Sequence, residues 1–317
     1  MITFFAPVRP FTGLFDILQR NAILSWKVAI PGAQVIILDR DESVGRVCAE
    51  LGVEWVRDVP YDERFDRPHV GGLFVAAEKR AVHDVMCFIN GDNIMLDMLE
   101  AIGRVRQTFS QFCIVGERCN LTITALLDFT DPTTSAALRA RMQSEGWWSN
   151  ANWIDYFIYT KGAFGEVPPF LVGGGCMDNW LIQKALCSSL PLIDCGRTII
   201  DIHQEHEERS FTATKYLTTN ALSPIRSVNQ ALFRDHQVAA FGVPLANINT
   251  ADWRMTPDGF IPQPVSSRTR IRKRLARACW HQPGLDRAAR LGESATRGVR
   301  HGLGLVATAF GLASRPD

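Results

Sequence analysis

The chain has 317 residues, 46 % hydrophobic and 21 % charged, with a formal net charge of +1. That is the composition of a folded protein of one large α/β domain with additions, or of two smaller domains. No run of about 18 uninterrupted apolar residues occurs, which argues against a membrane-spanning helix. The eight cysteines are scattered and none forms a Cys-x-x-Cys pair, which argues against zinc and for a reduced, cytoplasmic setting.

Strand and helix patterns alternate from the start. Ile2–Ala6 reads as an apolar strand and not as a signal peptide, because no basic segment precedes it. Thr12 can cap a helix to about Ile30, with Phe15, Leu18, Ala22 and Trp26 near helical spacing, and Pro31-Gly32 stops it. Gln34–Leu38 is a buried strand ending at Asp39. A helix from Ser43 to Leu51, stopped by Gly52, leads to a short strand at Glu54–Val56. Residues 57–70 carry many charges and no period, as a functional or mobile loop does. A helix over Gly72–Val82 precedes a strand at 85–90, a helix from about Leu96 to Phe109 and a strand at Phe112–Gly116. This order predicts a mostly parallel sheet with helices on both faces.

The second half is less regular. Asp131 caps a helix to about Gln143, with Pro132 at its first position. Trp147, Trp148 and Trp153 crowd the following loop, and Asp155–Tyr159 is strand-like. After the Gly- and Pro-rich Lys161–Gly175, Asp178 opens a helix to about Ser188, followed by strands at Leu192–Asp194 and Thr198–Ile202. The pattern then weakens. The reading divides the chain into an α/β unit over 1–210, an irregular or helical extension over 211–265 and a basic tail over 266–317. Within the α/β unit, the regular pattern covers about 1–118 and the less regular one about 119–210.

Four places can carry chemistry. At the first, the apolar strand 85–90 runs into Asn90-Gly91-Asp92-Asn93. Open α/β sheets bind ligands just past such strand ends, and these side chains offer hard oxygens suited to Mg²⁺ or Mn²⁺. The same residues also make an ordinary turn. At the second, Asp178 follows Gly173-Gly174-Gly175 at a helix start, where a carboxylate is a general base or simply a cap. The third is His203, placed just after a strand and nearer its end than His206; it is a plausible metal ligand or part of a solvated acidic loop. The fourth comprises Pro7, Arg9 and Arg20 with Asp39, which can hold a nucleoside diphosphate or be surface residues.

Four segments together carry a resemblance. They are Pro10-Phe11-Thr12-Gly13 through Gln19-Arg20-Asn21 to Trp26, then Phe88-Ile89-Asn90-Gly91-Asp92, then Ile154-Asp155-Tyr156-Phe157 with Gly165–Phe170, and Asp178–Ile182 followed by Ile202-His203-Gln204. Their order resembles GT-A-fold, nucleotide-sugar-dependent glycosyltransferases, a poorly characterised bacterial and plant branch in particular, over about residues 1–210. The resemblance implies a Rossmann-like α/β catalytic domain over 1–210, whose first half (about 1–118) binds the nucleotide-sugar and whose second (about 119–210) faces the acceptor, with a UDP- or GDP-sugar donor, Mn²⁺ or Mg²⁺, and a glycan, lipid-linked or small-molecule acceptor. The acidic metal motif Asp-x-Asp of such enzymes falls on Asn90-Gly91-Asp92, whose first carboxylate is missing here. Asp92 then carries the metal with help from His203, or metal binding is weakened or lost. Asp178 falls on the catalytic acid before the acceptor-side helix. Pro7, Arg9, Arg20 and Asp39, with Asn90, Gly91 and Asp92, fall on the nucleotide-sugar side. The indoles of Trp147, Trp148, Trp153 and Trp180 can stack on sugars or pack the core. The rival readings are a sugar-nucleotide pyrophosphorylase, disfavoured by the single glycine in Pro7–Gly13, and a non-catalytic nucleotide-sugar-binding protein. A dehydrogenase lacks its Gly-x-Gly-x-x-Gly signature.

Residues 266–317 hold 11 Lys and Arg against 3 Asp and Glu, net +8, which leaves the rest at 23 against 30, net −7. A basic run followed by apolar Gly302–Leu312 is suited to the surface of an anionic membrane, or to a solvated helix. The acidic body and the lack of any nucleic-acid motif argue against a nucleic-acid partner.

Overall fold

A computed structural model describes residues 1–206, 224–236 and 246–280. The main sheet begins with the parallel strands β1 (Thr3–Pro7), β2 (Gln34–Leu38) and β3 (Glu54–Val56). Helices α1 (Gly13–Ala29) and α2 (Glu42–Leu51) make the crossovers. The ends of α2 have local causes: Asp41 accepts the Ser43 N–H at 2.7 Å as its cap, and Gly52 stops it at φ +62°.

The charged stretch expected as a loop holds a small ribbon, β4 (Tyr61–Asp62) and β5 (Arg67–Pro68). It is too short and too polar to leave an apolar period. Helix α3 (Val70–Arg80) returns the chain to β6 (Val85–Ile89), parallel to β1. The sequence reading ran from here directly into a helix. Instead Asn93–Leu96 is strand β7, fully buried, before helix α4 (Met98–Thr108) begins. Strand β8 (Cys113–Val115), β9 (Arg118–Leu121), helix α5 (Thr133–Ser144), β10 (Trp147–Trp148) and β11 (Tyr156–Thr160) follow. Next come α6 (Met177–Cys187), β12 (Leu192–Asp194) and β13 (Ile200–Gln204).

The region past 210, expected to be irregular or helical, contains helix α7 (Pro224–Asp235) and a hairpin, β14 (Trp253–Thr256) with β15 (Gly259–Pro262). β14 pairs with β12, so this hairpin completes the main sheet in the order β15-β14-β12-β8-β11-β6-β1-β2-β3. Most neighbours are parallel; β11 is antiparallel to both β6 and β8. β10, β9, β13 and β7 form a second, four-stranded sheet. Helix α8 (Ser267–Trp280) carries the first part of the basic tail. No helix among the described residues is long and apolar enough to cross a membrane.

Alternation along the strands builds the two core layers. Phe5, Phe88, Phe157 and Tyr159 face α3 and α6, while Phe4, Cys87, Ile89 and Ile158 face α1 and α4. Each fully buried Phe or Ile side chain stabilises the fold by roughly 1.5–3 kcal/mol. Seven cysteines are free and buried, packed as small apolar side chains.

Candidate functional site

Parallel β1, β2 and β6 all end on one edge of the sheet. Because β11 runs the other way, its beginning lies on that same edge. The residues there line one trough of about 670 Å³, with Asp39 past β2, Pro7–Pro10 past β1, Asn90–Asp92 past β6, and Trp153–Asp155 ahead of β11. Sheet order places Asp39 at one end and Trp153 at the other. The glycine loop 173–175, Met177 and Asp178 form a further wall, with Ile225 and Arg226 of α7.

The turn after β6 is held tightly. A Cβ on Gly91 would stand 2.9 Å from the Pro7 carbonyl oxygen, so only glycine lets the ends of β6 and β1 approach this closely. The side chain of Gln204 donates to the Asp92 carbonyl at 2.9 Å and to the Leu18 carbonyl at 2.8 Å, and accepts from Asn21 at 3.0 Å. This ties α1, the turn and β13 together. The register of β13 on β7 then sets His203 opposite Asn93, beside Asp92.

Ligand atoms of Asp92, His203 and His206 lie within 4.8 Å of one another. His206 Nε2 is 3.2 Å from Asp92 Oδ2, and His203 Nδ1 is 3.8 Å from Asp92 Oδ1. β13 extends through His203, which is therefore buried within the second sheet and does not follow a strand as the sequence reading has it. His206, ranked second there, is the imidazole that lines the trough. The set fits a divalent cation: one carboxylate oxygen and two imidazoles at ligand spacing, with His203 Nδ1 and His206 Nδ1 both buried and lacking hydrogen-bond partners.

Behind this set lies a network that sequence reasoning missed. Asp155 Oδ2 receives Arg118 at 2.5 Å and the Asn93 amide at 3.1 Å, and stands 3.4 Å from His203 Nδ1. Asn93 also donates to the fully buried Asp201 at 2.6 Å. Burial, and next the charge of Asp155, raise the Asp201 carboxyl well above the ordinary carboxylate range. The detectable signal was Asp155 at the head of an apolar strand. Its relevance depends on that strand being antiparallel, which local sequence does not reveal.

Asp178 sits at the second position of α6, one residue past the Cys176–Met177 start, so it is not the cap residue itself. Burial, with the charge of Asp155, pushes its carboxyl up to about 6 against the opposing hydrogen bond from the Asn179 amide. Asp39 accepts from the Asp41 N–H at 2.7 Å and the Tyr61 hydroxyl at 2.9 Å, and burial raises its carboxyl. Tyr61 is itself covered by the Arg40 guanidinium, 4.3 Å from the ring centre. Arg9 stacks on Phe15 at 4.5 Å, and its backbone is clamped by Gln19 at 2.7 and 2.9 Å.

Arg20 departs from the expectation. It bridges Asp16 at 2.7 Å and Glu50 at 2.8 Å on the outer side of α1 and does not line the trough. Helical spacing accounts for this, since Gln19 and Arg20 point to different sides of one turn. Among the indoles, Trp153 lines the trough, Trp147 is exposed, and Trp180 is core, donating to the His236 carbonyl at 2.8 Å.

No protein-family model matches the chain, and no curated protein matches it. Solved structures do. S. aureus TarS 1–349 in complex with UDP-GlcNAc is 10 % identical, with a TM-score of 0.43 over 75 % of this chain and 71 % of that one. Glucosyl-3-phosphoglycerate synthase from Mycobacterium tuberculosis, in complex with Mg²⁺ and uridine-diphosphate, is 14 % identical, with a TM-score of 0.38 over 65 % and 72 %. A protein from Desulfovibrio desulfuricans G20 described as a nucleotide-diphospho-sugar transferase is 11 % identical, with a TM-score of 0.39 over 74 % and 97 %. The likeness is one of backbone.

Proposed function

We propose that this chain transfers a sugar from a nucleoside diphosphate donor, UDP- or GDP-linked, to an acceptor hydroxyl. One observation carries the reading: a carboxylate and two imidazoles, Asp92, His203 and His206, meet at the strand-end edge of a trough whose other wall presents Asp178. The resemblance in sequence implies Asp92, His203 and Asp178 in this chemistry, and His206 joins them on geometry alone. Asp92, His203 and His206 would hold Mn²⁺ or Mg²⁺, and Asp155, whose Oδ2 stands 3.4 Å from His203 Nδ1, adds a further carboxylate beside the set. A bound cation supplies positive charge to the departing diphosphate.

The remaining work belongs to the protein's own groups. Asp39, Tyr61, Arg9 and the backbone at Pro7, Asn90 and Gly91 lie at the donor end. Asp178 faces the acceptor, and with its carboxyl near 6 it is ionised at neutral pH, yet basic enough to take the hydroxyl proton. Attack from that side inverts the anomeric centre.

A thermal melt tests the reading. UDP or GDP with Mn²⁺ raises the melting temperature, and Asp92→Ala loses the metal-dependent part of that rise. The reading fails if no nucleoside diphosphate, with or without a divalent ion, shifts the melt.

The basic tail adds a contact with anionic membrane. On α8, Arg270 and Arg274 are exposed while Lys273 is buried against the body. Residues 281–317, the apolar Gly302–Leu312 among them, lie outside the described residues. Co-sedimentation with anionic vesicles, lost in Arg270→Glu/Arg274→Glu, checks this contact.

A further inference from the structure

Among the described residues, Trp147 is the sole aromatic among the large apolar side chains that stand out in solvent, at 42 % exposure. An indole left this far in water needs a reason, because burying it would be favourable. It is also held in place. Its Nε1–H donates to Glu205 Oε1 at 2.9 Å, and Glu205 Oε2 takes the Thr122 hydroxyl at 3.0 Å. The Trp147 carbonyl accepts from the Asn120 amide at 3.2 Å. Its ring meets Trp153 edge to face, with centroids 5.9 Å apart. Trp153 in turn lines the trough, beneath the Arg118 guanidinium at 4.8 Å. An apolar ramp of two fixed rings thus runs from the trough to the surface, at the end away from Asp39.

What surrounds the ramp is polar. Asn150 and Asn152 are exposed beside it, and Asn152 accepts from the Asn247 amide at 3.1 Å. Glu205 lies between His203 and His206 in the chain, so the ramp is tied to the same segment as the cation ligands. Flat apolar rings edged by amides and a carboxylate suit a pyranose, which offers a face of C–H groups and a rim of hydroxyls. A membrane or an apolar protein segment would find too many polar groups here, and a nucleobase already has its place at the other end.

We propose that Trp147 and Trp153 form a saccharide subsite that holds a glycan acceptor of at least two sugar units, one in the trough beside Trp153 and the next on Trp147. This rests on the transfer reading above and narrows its acceptor to an oligosaccharide. Both rings are positioned before the ligand arrives, so little ordering cost opposes binding.

The test uses the full chain on an array of oligosaccharides of two to six units, without nucleotide. Wild type retains at least one glycan. Trp147→Ala weakens that binding about tenfold, as loss of an aromatic anchor does, while Trp147→Phe keeps most of it. In the wild-type protein, the Trp147 indole N–H resonance shifts on saturation with that glycan, a readout that needs no variant to fold. The subsite is overturned if no glycan on the array binds, if Trp147→Ala binds like wild type, or if the indole resonance stays fixed. Nucleotide melts separate the two readings. Loss of glycan binding with an intact UDP or GDP shift removes only the subsite, whereas loss of the nucleotide shift removes the transfer reading as well.

Discussion

Two acidic centres in this chain are built in opposite ways. Asp252, near the C-terminal hairpin, is fully provided for. Lys273 approaches Oδ1 at 2.5 Å, Arg277 donates to both oxygens at 2.9 Å, and the Leu192 N–H adds a bond at 3.2 Å. The Asp155–Asp201 centre has partners too, yet Asn93 Oδ1, Arg118 Nε, Asp201 Oδ2, His203 Nδ1 and His206 Nδ1 are all buried and unbonded. They are five of the seven such side-chain atoms among the described residues, so the deficit is concentrated in one cluster, of which Arg118 and His206 reach the trough. A structural ion pair closes on itself, because an unmet buried charge is costly. A ligand site keeps groups unmet until the ligand comes.

The sharpest break of this comparison is Asp252→Ala. It leaves the buried Lys273 ammonium with only the Ala251 carbonyl at 3.1 Å, and Arg277 of α8 with only the Leu186 carbonyl at 2.9 Å. A loss of about 3–5 kcal/mol is expected, measured by urea unfolding. Lys273→Met in the same background restores part of it, because the variant then buries a neutral side chain where a charge was left unpaired.

The contrast also accounts for what could be read from the sequence. β1, β2 and β6 were legible because apolar runs buried on both faces leave a local mark, and Asp39 and Asp92 were legible as the polar residues that end them. Asp178 was legible from the glycines ahead of its helix. β7 was not, since Asn93-Ile94-Met95-Leu96 is only four residues long between a polar turn and the helix expected from about Leu96, and only its pairing with β13, over a hundred residues later, makes it a strand. The Arg118–Asp155 pair was hidden for the same reason: a charge neutralised by a distant partner looks, in sequence, like any surface charge. His206 was passed over because the end of β13 was placed two residues early, at Ile202 and not Gln204.

Asp178 gives the next effect in size. Transfer rises with pH through about 6 as its carboxyl ionises, then levels. Asp178→Asn lowers kcat by about 10²–10⁴-fold and removes that rise. Stability moves the other way. The folded carboxyl, at about 6, binds its proton more tightly than the unfolded one at 3.8, so stability falls as pH rises from about 4 to 6. Asp178→Asn flattens its share of that slope in urea unfolding across the same range; Asp39 and Asp201, raised in the same direction, keep theirs, while the lowered carboxyls of Asp41 and Glu145 act with the opposite sign. If the slope is unchanged, Asp178 is solvated and does not serve as the base.

Asp92→Ala sharpens the comparison from the other side. Although Asp92 is largely buried, its removal without metal is expected to change stability by no more than about 0.5 kcal/mol. The lost His206 contact at 3.2 Å is offset by the desolvation cost that the mostly buried carboxylate no longer carries. A deficit that costs little when empty, and becomes decisive only with Mn²⁺, is what separates this centre from Asp252. A large loss in metal-free protein would make Asp92 a structural residue of the Asp252 kind.

Arg20 gives the smallest effect and the cleanest control. Its pairs with Asp16 and Glu50 are partly exposed, at 22 % for the arginine side chain against 36 % and 59 % for the acids, so water and salt screen them. Arg20→Ala is expected to cost about 0.5 kcal/mol or less, and less still at high salt. Because the guanidinium faces away from the trough, the UDP or GDP melting shift stays at its wild-type size. Arg9→Ala, eleven residues earlier in the chain and inside the trough, reduces that shift. If the two variants behaved alike, the nucleotide end of the trough would extend around α1, and Arg20 would regain the role its place in the sequence gave it.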